Sequence, residues 1–159
     1  MKRFASASAM AAHLARLAAA GPAVVHHMAD RAGREIEVTA KGIIGFYQPR
    51  VGLWPAWAPL AESTEAEKER SGYERGAPLL RTGQMRDTIV RNVEGGAVTV
   101  GATDAKALYH ELGTRTIPPR PFMGPAAFQA MPRINVMLGN TLAAWVSGTG
   151  WQRPARRIK

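Results

Sequence analysis

The residues best suited to chemistry are a histidine beside a glutamate, His110-Glu111. That pair opens the zinc-hydrolase pattern H-E-x-x-H, in which two histidines one helical turn apart hold the metal and the glutamate activates a water. The pattern needs a histidine at 114, and this chain has Thr114 there. His13, His26 and His27 are remote in sequence, so a metal site requires the fold to gather them. A packed or solvent-facing histidine is the plainer reading. No G-x-S-x-G elbow presents a serine nucleophile. Gly95-Gly96 lacks the lysine and the spacing of a phosphate-binding loop. Glu65, Glu67 and Glu69 read as solvated charge rather than a working pair of carboxylates. The expectation is a chain with no catalytic residues, no metal and no cofactor. A metal-dependent hydrolase around His110 and Glu111 is kept as an alternative.

Charge raises a second possibility. The 159 residues include 21 Lys and Arg against 12 Asp and Glu, a formal net charge of +9. Such a balance suits a polyanion or an acidic protein surface. Arg153, Arg156 and Arg157 lie in a basic tail that could neutralise phosphates. Trp54, Trp57 and Trp151 could stack on bases, although tryptophans more often pack in cores and interfaces. No zinc-finger, RNP or helix-turn-helix signature is present. A basic DNA-binding protein is therefore a further alternative.

These residues must be positioned by the rest of the chain. There is no cysteine, hence no disulfide framework and no thiolate metal site. The length suits a single domain, 1–150, followed by the basic tail, 151–159. Phe4, Ala7, Ala11, Leu14 and Leu17 make a helical stripe, which Gly21-Pro22 is expected to interrupt. His13 and Arg16 break any apolar leader, so an amphipathic helix is expected rather than a secretion signal. A second helix places Val25, Met28, Ala32, Ile36, Thr39 and Ile43 on one face. No stretch approaches the length of a membrane span, and no membrane partner is expected.

Pro49, Gly52, Pro55 and Pro59 keep the next region irregular. Thr64 and Glu67 suggest a capping box for a short charged helix, 65–70. Met85, Ile89 and Val93 alternate with Asp87 and Arg91, as in a strand. Glu94-Gly95-Gly96 supplies a hairpin turn, and Val98 and Val100 the return strand, ended by Gly101. Thr103-Asp104 caps a short helix closed by Gly113. Gly124-Pro125 opens a last helix with the stripe Phe128, Met131, Leu138, Leu142 and Trp145, kinked at Pro132. The fold class is α+β: a small antiparallel β-sheet packed against long N-terminal and C-terminal helices.

Several motifs then stand in a telling order. Trp57-Ala58-Pro59-Leu60 leads to Ser63-Thr64 and Lys68, then to the run from Leu79 through Arg81-Thr82-Gly83-Gln84 to Ile89. Tyr109-His110-Glu111-Leu112-Gly113-Thr114 follows the hairpin, and Ile117-Pro118-Pro119-Arg120-Pro121-Phe122-Met123-Gly124-Pro125-Ala126 follows that. From about Trp57 to Ala127 this series resembles the phage virion morphogenesis family, the tail-completion, neck or head–tail connector proteins of tailed phages. The resemblance implies a non-enzymatic virion protein, assembled in the bacterial host cytoplasm, that forms a homo-oligomeric ring at the head–tail junction. It implies tail terminator or tail tube and head-side connector proteins as partners, with non-specific contact to DNA passing through the neck.

The loop from Thr114 to Phe122 has two open readings. Its prolines limit the entropy lost on docking, Arg120 offers a planar donor fork, and Phe122 an apolar anchor, as an interface would need. Equally, Phe122 could fill the chain's own core while Arg120 closes a helix end. Tyr109 is read first as core. Tyr109, Glu111, Arg120, Pro121, Phe122, Arg153, Arg156 and Arg157 are the interface candidates.

Overall fold

A computed structural model describes residues 3–148. The chain is α+β, with helices α1 (Ala7–Ile43), α2 (Glu62–Arg70), α3 (Gln84–Asp87), α4 (Ala105–Leu112) and α5 (Met123–Ser147), and strands β1 (Ile89–Glu94) and β2 (Ala97–Ala102). The tail boundary and Arg153, Arg156 and Arg157 lie outside the described residues.

α1 begins at Ser6, whose hydroxyl accepts a bond from the Ala9 amide at 3.1 Å. It then runs unbroken through Pro22, correcting the two-helix expectation. Proline removes one backbone donor there. The exposed Ala18 backbone one turn earlier can turn to water, and Trp145 of α5 packs beside Gly21, where an added Cβ would lie 3.7 Å from the indole. Packing by α5 along both halves overrides the local break.

The hairpin forms as the turn residues dictate. Glu94 pairs with Ala97, and Gly95 and Gly96 take φ of 55° and 88°, the geometry of a two-residue type I′ turn. β2 extends one residue past Gly101. The strand does not start at Met85: Gly83, at φ 82°, begins the single helical turn α3, which drops Met85 into the core, and β1 starts at Ile89. The hairpin lies on α1 at Gly33, where a Cβ would come within 2.4 Å of Val98 Cγ2. Arg91 fastens it there through Asp30 (2.9 Å) and Glu37.

α2 starts at Glu62 with Ala61 as its unassisted N-cap, so Thr64 is inside the helix and makes no capping box. The core gathers Ala40, Ile43 and Ile44 from α1 and its end, Trp57, Met85, Ile89, Ala107, Phe122 and Ala126. Two expected apolar stripes do not belong to it. Leu14 is 54% exposed, while His13 is buried beside Phe4. On α5, Met131 and Leu142 face outward, Phe128 is half exposed with its ring edge-to-face on Trp54 (centroids 6.2 Å), and Ala126, Ala130, Ile134 and Thr141 face in. α5 remains helical through Pro132.

Candidate functional site

The motifs that stand apart in sequence meet around Phe122, which is completely buried. Gly113 ends α4 at φ 76°, and a side chain there would collide with Pro119 and the Ile117 carbonyl. The loop folds back on itself: the Thr114 amide donates to the Ile117 carbonyl at 2.9 Å, and the Thr114 hydroxyl accepts from the Ile117 amide at 3.1 Å. The Arg120 amide then donates to the His110 carbonyl at 2.7 Å. The loop therefore returns alongside α4.

Glu111 closes the turn. α5 has Phe122 at its N-cap, which offers no side-chain acceptor. The Glu111 carboxylate supplies one, accepting from the amides of Phe122 (2.8 Å), Met123 (3.1 Å) and Gly124 (3.4 Å). A carboxylate at a helix N-terminus also meets the positive end of the helix dipole. The hydrolase alternative needed this glutamate beside a metal-bound water, and its oxygens are directed at the backbone instead. Among the described residues, no three His, Asp or Glu side chains converge as metal ligands.

Arg120 locks the clasp to the Trp57 loop. Its Nη2 donates to the carbonyls of Ala58 and Pro59, each at 3.1 Å, and the Trp57 indole donates to the Pro121 carbonyl at 3.0 Å. Arg120 is 5% exposed, and Pro121 and Phe122 are buried with it. Of the two readings of this loop, the intrachain one is realised: these three interface candidates face their own chain. Burial draws the Arg120 guanidinium below its ordinary range. Burial first, and the Arg120 charge second, lower the His110 imidazole from its usual value. Among the described residues, His110 Nδ1 and Arg120 Nε are buried without a hydrogen-bond partner. Both residues border a cleft of about 400 Å³ that also includes Lys68, Leu79, Met85 and Lys106.

Tyr109 was expected in the core and is 51% exposed on α4, beside exposed Leu108 and Leu112. The close seat of Trp54 on Gly124, where a Cβ would come within 2.5 Å of the indole, had no sequence signal beyond the glycine itself. One 18-residue window of α1 reaches a mean hydropathy of 1.2 with 11% of it buried. By length and composition that window could span a bilayer, which corrects the expectation that no stretch approaches one. Comparison of the chain with protein-family models, curated proteins and solved structures gives no match.

Proposed function

We propose that this chain is a non-enzymatic structural protein of a tailed-phage particle, a tail-completion or neck subunit that forms a ring at the head–tail junction and joins tail to head. The observation that carries the reading is the ordered motif series from Trp57 to Ala126. Its support in three dimensions is that Trp57-Ala58-Pro59, Glu111 and Arg120-Pro121-Phe122 form one hydrogen-bonded clasp. Motifs that act together in one fold element are a more specific likeness than the same residues scattered over unrelated loops. In this reading the motifs set the fold, and assembly uses surfaces outside the clasp. The exposed row on α4, Leu108, Tyr109 and Leu112, is one such surface. Adjoining rings of tail and head proteins are the partners, and the net charge of +9 favours acidic faces on them or the DNA threading the neck.

The test is to delete the coding sequence in the phage or prophage that carries it and supply the protein from a plasmid. Full heads and complete tails should accumulate unjoined without the protein and join with it. Infectious, joined particles in its absence would defeat the proposal.

A further inference from the structure

Lys68 and Arg120 are the buried lysine and arginine among the described residues, 6% and 5% exposed. Both line the cleft of about 400 Å³ beside α4. Among the described residues, neither takes part in an ion pair. The cations that do pair are more open: Arg91, the most enclosed of them, keeps 30% of its side chain exposed. A buried charge without a counter-charge is costly, and carbonyl dipoles offset only part of that cost. Lys68 Nζ donates to the Ala77 carbonyl, and its other hydrogens have no protein acceptor. Arg120 commits Nη2 to two carbonyls, and its Nη1 and Nε make no hydrogen bond. The carboxylates that line the cleft are already engaged. Glu67 accepts from Ser71 and Arg81, and Asp104 accepts from the Lys106 amide. Burial is the largest influence on both cations and draws each below its ordinary range, with Glu74 and Glu65 acting against it at Lys68.

We propose that this cleft binds a carboxylate carried on an apolar body, with Lys68 and Arg120 as its counter-charges and Leu60, Leu79, Leu80 and Met85 as the wall for the body. His110 Nδ1, likewise without a partner, is a further donor in the tautomer that carries its proton there. The volume suits a small ligand, since such sites run from roughly 300 to 1,000 Å³. Inorganic phosphate would satisfy the charges and leave the apolar wall bare. A nucleic-acid backbone is matched by cations at the surface, whereas these two are enclosed. The wall is also where the backbone is strained. Leu79, at φ 62°, is the one non-glycine residue with positive φ among the described residues. Such conformations persist where the surroundings enforce them, and they recur at ligand sites. The proposal goes beyond the neck reading and stands or falls apart from it.

The test is titration calorimetry of the purified full chain with octanoate, octanamide and inorganic phosphate, with the site mapped by NMR. Octanoate, below its micellar range, should bind at one site and shift the Leu79 and Met85 methyls and the His110 ring. Octanamide and phosphate should each bind about tenfold more weakly or worse, the loss of a charge-assisted bond or of the apolar contact. Lys68→Met keeps the stem, removes the charge and should weaken octanoate by about the same factor. Arg120→Gln should do likewise. Because Arg120 also holds the Ala58 and Pro59 carbonyls, circular dichroism must show that variant folded, and the comparison of ligands on the wild type decides the question without it. Arg34→Gln, an exposed cation on α1, should bind octanoate as the wild type does. Acetyl-leucyl-leucine separates two sources of the carboxylate. Tighter binding than octanoate, lost on amidation, identifies a peptide end, and the reverse order identifies a free acid. The proposal is overturned by no binding of octanoate, by octanamide or phosphate binding equally well, by shifts confined to residues outside the cleft, or by a folded Lys68→Met with wild-type affinity.

Discussion

Replacing Glu111 with alanine removes the carboxylate that closes the start of α5. Three amides point at it, from 2.8, 3.1 and 3.4 Å. Losing a helix cap costs about 1 kcal/mol. Losing a partly buried negative charge at the positive helix end costs up to about 2 kcal/mol. The Phe122 residue is fully buried and its amide bond to Glu111 part-buried, and leaving that amide unpaired costs about 1–3 kcal/mol. These figures describe overlapping effects of the same bonds, so the expected total is about 3 kcal/mol rather than their sum. In a chain of this size that lowers Tm by roughly 6–12 °C. Glu111→Gln keeps an acceptor oxygen at similar reach and should cost about 1 kcal/mol. Urea unfolding followed by circular dichroism should rank wild type above Gln and Gln above Ala, with unchanged m values. An alanine variant within about 0.5 kcal/mol of wild type would refute the assignment of Glu111 as the cap.

Gly33→Ala gains about 1 kcal/mol of helix propensity but drives a methyl into Val98, and should be destabilised by about 1–2 kcal/mol net, read from the urea midpoint. A stabilised variant would mean that α1 and the hairpin are not in close contact. Arg120→Ala breaks two bonds to the Ala58 and Pro59 carbonyls and should cost about 2 kcal/mol in the same assay. Wild-type stability with lost particle entry would return Arg120 to a docking role. Lowering pH should expose His110: the unfolded chain takes up a proton near pH 6.5, whereas the buried imidazole resists it. Its contribution is therefore constant above about pH 6.5 and declines as pH falls below that value. His110→Gln should flatten this decline, and equal slopes in both proteins would contradict it. The Glu37 carboxyl gives a separate loss at lower pH. Burial pushes it up, but hydrogen bonds from Lys41 and Arg91 outweigh burial and hold it below its ordinary 4.5.

The elements legible in the sequence were those with a local physical cause. Gly95-Gly96 requires positive φ, Asp104 caps α4, and Gly113 ends it, and each did so. Errors arose where long-range packing decided. Gly21-Pro22 reads as a break, yet α5 lies along both halves of α1 and holds them in line. The alternation of Met85, Asp87 and Ile89 fits a strand, but one helical turn also buries Met85 before Ile89 begins the sheet. The stripes through Leu14 and Phe128 are genuine helical periodicities. Periodicity shows that a face is apolar and not what covers it, so an outer row passed for a core row. At the clasp, the motif residues were legible and their partners were not. Glu111 reaches a helix whose N-cap lies eleven residues later, and Arg120 reaches carbonyls more than sixty residues earlier, pairings that no local pattern encodes.

Electron cryomicroscopy of intact particles from the encoding phage tests the central claim most directly. A neck subunit should appear as a closed ring between head and tail whose protomers show the long α1–α5 pair, the two-stranded hairpin, and the Trp57–Arg120 clasp facing their own interior. A fully resolved neck that contains no such protomer, in particles that are joined and infectious, would contradict it.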